Sequence, residues 1–279
     1  MRTISIIITY ILLIAWTIFV LSPIYWTVTT SFKGEADVYL GPKFFPWIDF
    51  KPTLWAWRKM LTIERDMILR PLINSVIIAT ISSLFAMVFG SMAAYGLTRF
   101  QYKFAFWRNQ DILVWIVSQR MMPPIVTVLA LFIMLKVVNL IDTRPGMILT
   151  YTAFNLPLAV WMMRNFLIHL PRSTEEAAMV DGASSMQTLF QIVIPMILPG
   201  LAATYLICFI FAWNEFLFAL FLTFNKSQTI PLLIAAQHFQ RGPQWWDISA
   251  LAVIAITPVV IIALFLQRYL VKGLIPLGR

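Results

Sequence analysis

The chain alternates between long stretches free of Asp, Glu, Lys and Arg and short segments in which those residues gather. Positions 3–32, 71–98, 145–163 and 248–267 contain none of the four, 112–135 contains only Arg120, and 182–225 contains only Glu215. A helix needs about 20 mostly apolar residues to cross the hydrocarbon core of a bilayer. The pattern predicts six membrane-spanning helices, at about 5–29, 72–97, 112–135, 145–166, 199–224 and 248–269. On the second, Ser82, Ala86, Gly90 and Ala94 recur every four residues, a small-residue stripe that lets another helix come close. Pro123 and Pro124 fall beside Arg120 and predict a break in the third span.

Composition agrees with the pattern. The 279 residues are 60% hydrophobic and 12% charged, against about 45–50% and about 25% in a soluble domain. A soluble enzyme, a nucleic-acid-binding module and a disordered tail are excluded. The net charge of +9 is read as span-flanking residues that meet anionic headgroups. The first apolar run is too long for the h-region of a signal peptide and is expected to remain as a span. Arg99, Lys103 and Arg108 in one short loop, against Lys136 and Arg144 or Lys226 and Arg241 in those on the other side, favour cytosolic termini. The single cysteine, Cys208, excludes an internal disulfide. No Gly-Lys dipeptide, HExxH or GxSxG pattern occurs, so the chain is not expected to hydrolyse ATP or to catalyse a reaction itself.

The segment between the fourth and fifth predicted spans, about 171–196, carries the most information. Ser173 with Glu176 reads as a capping box that opens a short helix over Glu175–Val180. Gly182 then stands where a positive φ is needed. Ser184 with Gln187 repeats the box for a second helix, expected to end before Pro195. Glu175, Glu176 and Asp181 outnumber Arg172, which suits a protein partner better than an anionic lipid surface.

Glu176-Ala177-Ala178, Gly182, Ile192 and Pro195 resemble the EAA loop of ABC-importer membrane subunits: EAA, three residues, Gly, nine residues, I-x-L-P. Ile194 replaces the usual Leu. Asn74-Ser75, Ala93-Ala94-Tyr95, Met122-Pro123-Pro124 and Phe211-Ala212-Trp213-Asn214-Glu215-Phe216 extend the resemblance to the permeases of carbohydrate importers, in particular the shorter maltose-permease-like subunit. It implies an all-α integral membrane protein, a single transmembrane domain over 1–279 with six spans and a cytosolic coupling loop between the fourth and fifth. It also implies a multi-pass place in a bacterial inner membrane, both termini cytosolic. The implied partners are a second, related permease, two copies of an ABC ATPase and a substrate-binding protein outside. ATP and Mg would be used by the ATPase, and no cofactor is expected on this chain. Glu176, Ala177, Ala178, Asp181, Gly182, Ile192 and Pro195 would couple to that ATPase, although Glu176 could instead only cap its own helix.

Two ionisable residues lie within predicted spans, where such groups are functional by default. Arg120 and Glu215 fall at similar depth, so they are expected either to pair across the third and fifth spans or, with Gln119, Trp213 and Asn214, to line a translocation path. A gradient-driven transporter using the two as an ion relay is the alternative reading. Gln237-His238-Phe239-Gln240-Arg241, ahead of Trp245-Trp246, corresponds to a loop that contacts the binding protein in the resembled family. The implied function is import of a carbohydrate, a glycoside, a polyol or an anionic derivative.

Overall fold

The computed structural model describes residues 2–104, 107–240 and 244–274, with side chains placed over 4–103, 107–236 and 244–267. The chain runs α1 (Arg2–Thr30), α2 (Glu35–Tyr39), α3 (Trp55–Thr62) and α4 (Arg65–Arg99), then a two-residue antiparallel pair, β1 (Lys103–Phe104) with β2 (Trp107–Arg108). There follow α5 (Asn109–Ser118), α6 (Pro124–Val137), α7 (Arg144–Ile168), α8 (Arg172–Val180), α9 (Ser185–Thr188), α10 (Ile194–Trp213), α11 (Leu217–Leu222), α12 (Ile230–Gln240) and α13 (Trp245–Leu274). Among the described residues, 5 helices are long and apolar enough to cross a membrane, and a bent pair brings the total to 6.

The spans depart from expectation where the backbone is interrupted. The third is a pair of helices, Asn109–Met121 and Pro124–Val137, meeting at 91°. Met122 (ψ 128) and Pro123 (ψ 129) are extended because each precedes a proline, which disfavours the helical region for the residue before it. Pro124 then opens α6 at the position where its missing N–H costs nothing. The fifth span is not 199–224: a helical rod runs from Ser185 to Trp213 and stops there. Pro195 therefore does not end the second loop helix. A π-turn over Leu189–Val193 absorbs the missing N–H and carries the helix on.

The chain divides into two compact units, 1–70 with 233–257 and 71–232 with 258–279. In the first, α1 emerges into a segment fastened by aromatic and charged contacts. Lys33 lies 3.9 Å from the centre of the Trp26 ring, and burial pushes its ammonium below the usual lysine range, partly opposed by Asp37 and Asp49. Lys59 is ion-paired with Asp247 and reaches Glu64 at 3.7 Å.

In the second unit α4, α7 and α10 pack around Ala86, Ala159 and Cys208, all fully buried. Ser82, Gly90 and Ala94 of the small-residue stripe are buried on the same face. At the end of the spans away from 171–196, Asp142, in the left-handed region at φ 53, ties the 224–227 turn to α7. Its carboxylate accepts the backbone N–H groups of Phe224, Asn225, Lys226 and Ser227 at 3.0–3.1 Å. Beside it Asn74 accepts from Arg144 Nε at 2.8 Å and donates to the carbonyls of Lys226 and Gln228 at 3.0 and 2.9 Å. The Ile230 N–H donates to Ser75 Oγ at 2.8 Å.

Two outcomes follow from this packing. A Cβ at Gly90 would lie 2.6 Å from the Ala159 Cβ, so Gly90→Ala should cost about 1–3 kcal/mol and Gly90→Leu should abolish folded yield, both read by thermal unfolding and monodisperse recovery in detergent. Burial alone would raise the Asp142 carboxyl, but its backbone donors outweigh that and hold it below the usual range. Its contribution is complete above the unfolded carboxyl value near 3.9 and is lost as pH falls through the lower folded value. Asp142→Asn should therefore lower the thermal midpoint at pH 7 and flatten the decline that the unaltered chain shows towards pH 3. An unaltered decline in the variant would show that another group carries it.

Candidate functional site

The loop between the fourth and fifth spans folds as two helices around a glycine turn. α8 starts at Arg172 with Pro171 as its N-cap, so Ser173 lies inside the helix and no side-chain bond caps it. The expected Ser173–Glu176 box is absent because the X-Pro corner sets the N-cap two residues earlier. Glu176 has no hydrogen bond or ion pair among the described residues and is exposed, as are Ala177, Asp181 and Gly182. Capping of its own helix by Glu176 is overturned. Ala178 is buried against the body of the fold and Ile192 is half-buried, while Pro195 is exposed. Gly182 adopts φ +91, with nothing within 4 Å of the point where a Cβ would stand. It turns the chain through conformation alone and leaves open space around the bend. The second box forms as expected: Ser184 Oγ accepts from Gln187 N at 3.3 Å and Gln187 Oε1 accepts from Ser184 N at 2.8 Å.

The neighbour of Glu176 behaves in the opposite way. Consecutive helix positions point about 100° apart, which lets the two acids face different surroundings, and Glu175 is buried. Arg99, at the end of α4, donates through Nε to Glu175 Oε1 at 2.7 Å and reaches the same oxygen through its terminal nitrogen at 2.6 Å. Tyr95 donates to Glu175 Oε2 at 2.9 Å. Arg99 also donates to the Leu170 carbonyl at 3.1 Å, and Arg172 returns a bond to the Thr98 carbonyl at 2.6 Å. A cleft of about 400 Å³ opens beside these residues, with Phe100, Met179, Met186 and Leu189 among its walls. Local capping rules point Glu175 towards the helix dipole and miss this partner. The adjacent acids, with Tyr95 and Arg99 four residues apart on one helix face, are the signal that could have found it.

Of the two expectations for the intramembrane residues, the ion pair is overturned. Arg120 and Glu215 do not pair. Arg120 donates to the Phe154 carbonyl at 2.7 Å and to Asn155 Oδ1 at 3.2 Å, and its guanidinium lies 4.2 and 4.6 Å from the Phe154 and Phe211 ring centres. The accepting carbonyl lies beside the gap that Pro157 leaves in the hydrogen-bond ladder of α7. Asn155 extends the chain by donating to the Cys208 carbonyl at 3.4 Å. Glu215 sits at the break after α10 and accepts from the N–H groups of Phe218 at 3.0 Å and Ala219 at 3.3 Å, so it caps α11. Trp213 is a core side chain stacked on Phe209, whereas Gln119 and Asn214 are exposed. The backbone of 237–240 belongs to α12; the side chains of Gln237, His238, Phe239 and Gln240, and all of Arg241, lie outside the described residues.

Comparison with known proteins supplies the context. Residues 86–276 match the family described as binding-protein-dependent transport system inner membrane component. The chain is similar to the trehalose/maltose transport system permease protein of Thermococcus litoralis, 34% identical over 263 residues, covering 94% of this chain and 92% of that one. It is also similar to the sulfoquinovosyl glycerol transport system permease protein of Agrobacterium fabrum, 31% identical over 255 residues, covering 91% and 87%. A crystal structure of a bacterial ABC transporter that imports the acidic polysaccharide alginate contains a chain with the same fold: TM-score 0.74, 22% identity, covering 96% of this chain and 97% of that one.

Separate roles for Arg120 and Glu215 predict independent energetics. Arg120→Met should cost about 1–3 kcal/mol by removing the charged bonds to the Phe154 carbonyl and Asn155, and the costs of Arg120→Met and Glu215→Gln should add within about 0.5 kcal/mol. Thermal or denaturant unfolding of both single variants and the double variant measures this. Recovery of stability in the double variant would restore the ion pair.

Proposed function

The chain belongs to the binding-protein-dependent transport system inner membrane components, and from that premise we propose that it is the permease subunit of an ATP-driven importer of a carbohydrate. Its loop over 171–196 docks an ABC ATPase on the cytosolic side, which places both termini there. The observation that carries this reading is the exposed, unpaired Glu176 beside Ala177, Asp181 and the open turn at Gly182. The small side chains allow a cleft to close around α8, and Glu176 offers its charge to a basic group of the partner. Hydrolysis, with ATP and Mg, belongs to two copies of that ATPase, and this chain contributes no catalytic group.

A second, related permease completes the path, and a binding protein delivers the substrate from outside. Gln119 and Asn214 supply polar groups to the path, while Arg120, Trp213 and Glu215 hold its walls in shape. The stretch 237–241 is assigned to contact with the binding protein. Relatives that carry trehalose or maltose and sulfoquinovosyl glycerol support carbohydrate as the substrate class. The broken third span supports a transport path as well, because irregular backbone at membrane depth is tolerated where it lines a cavity. A gradient-driven ion relay through Arg120 and Glu215 is disfavoured, since backbone groups satisfy both.

Reconstitution of the chain with its genomic neighbours tests the proposal. ATP hydrolysis should rise when the binding protein loaded with a neutral disaccharide or an anionic glycoside is added, and uptake should be insensitive to protonophores. Gly182→Asn should be tolerated, since Asn accepts positive φ better than most residues. Gly182→Val, a β-branched residue at φ +91, should reduce stimulated hydrolysis at least tenfold. Protonophore-sensitive uptake without ATP would sink the proposal, and normal stimulation in Gly182→Val would remove the coupling role of this loop.

A further inference from the structure

We infer that Glu175, Arg99 and Tyr95 form a latch that makes α8 and the end of α4 move as one piece, so that a displacement of the docking loop enters the membrane through the second span. The inference rests on the reading of 171–196 as the ATPase-docking loop. It concerns residues on the opposite face of α8 from those that meet the ATPase. Three observations carry it.

First, the contacts are buried and charged. The Arg99 and Glu175 side chains are 9% and 7% exposed, and the two carboxylate oxygens are divided between Arg99 and Tyr95. A charged bond of this kind is directional and shielded from water, unlike a surface ion pair that salt and side-chain entropy loosen. Second, the bonds run both ways. Arg99 of α4 holds the Leu170 carbonyl just ahead of α8, and Arg172 of α8 holds the Thr98 carbonyl in the last turn of α4. Neither helix end can slide or rotate past the other without breaking at least two of these bonds. Third, the attachment differs in kind from that of the loop's other end. The α9 end is covalently continuous with α10 through the π-turn. The α8 end follows α7 in the chain and has no covalent link to α4; beside the apolar packing of Ala94 and Tyr95 on Leu167 and Leu170, the latch is its one ion-paired tie to α4 among the described residues. Met179 and Met186 at the adjacent cleft supply deformable packing and fix no direction.

These are positioning residues, and their loss should separate hydrolysis from transport. In the reconstituted importer, Glu175→Gln and Arg99→Lys should retain the ATPase on co-purification and keep basal hydrolysis within about twofold. Substrate transported per ATP should fall at least tenfold, and Tyr95→Phe should reduce it about two- to threefold. Because a single variant strands a buried charge, the double variant Arg99→Met with Glu175→Gln, which leaves none unpaired, is measured beside them. It should assemble normally and remain uncoupled. A distance measurement gives a second readout: with Cys208→Ser as background, spin labels on Tyr102→Cys and Met179→Cys should keep one separation through the ATP cycle. In the double variant that separation should broaden or shift.

Unchanged transport per ATP in the assembled double variant would overturn the latch. So would parallel loss of assembly, hydrolysis and transport in all four variants, since that is the signature of a purely structural contact. Failure of the unaltered chain to retain any ATPase would instead refute the docking role of the loop, a result distinct from either.

Discussion

Backbone N–H and C=O groups in hydrocarbon have no water to turn to, and each one left unpaired costs several kcal/mol. This chain interrupts its spans at Met122–Pro124 and at Asn214–Phe216, and at the second place a polar side chain supplies what the helix has given up, since Glu215 accepts the N–H groups of Phe218 and Ala219 that open α11. Arg120 takes the Phe154 carbonyl, Asn155 takes that of Cys208, and Glu215 takes the first free N–H groups of α11. Glu215 thus lets its span break, whereas Arg120 and Asn155 brace one span against the next. The early end of α10 depends on this exchange, because the N–H groups that open α11 would otherwise be left bare.

Outside the hydrocarbon the same economy of polar groups serves attachment. Asp142 gathers a whole turn of backbone N–H groups at one end of the spans. Arg99, Glu175 and Arg172 bind two helix ends at the other. Between them the interior is held by close approach of small residues, with Gly90 against Ala159 and Ala86 beside Cys208. A bilayer offers little hydrophobic drive for helix association, so close packing at the small-residue stripe and directional bonds at the ends divide the work.

Much of this was legible in the sequence. Charge-free runs located the spans because hydrophobic length is a property of the segment alone. The turn at Gly182 and the Ser184–Gln187 box were legible for the same reason: both are satisfied within a few residues. The errors have a common physical origin. Ser173 and Glu176 had the right spacing for a box, but Pro171 set the helix start earlier. Pro195 looked like a stop, but a π-turn, which has no sequence signature of its own, carried the helix through. Arg120 and Glu215 were matched by sign and depth, whereas each found its partner in backbone groups, which carry no sequence label. Glu175 meets its partners 76 and 80 positions away, beyond the reach of local helix rules.

The unbroken rod from Ser185 to Trp213 has a mechanical consequence. Its 29 residues span about 43 Å at 1.5 Å per residue, so it is a lever with one arm among the loop residues and the other at the mid-membrane break. A tilt of about 10° about one end displaces the other by about 7 Å, from the same length, more than the width of a monosaccharide ring. A stiff element of that reach carries a small stroke at the loop into the membrane as a displacement on the scale of the cargo, delivered at the break that Glu215 caps.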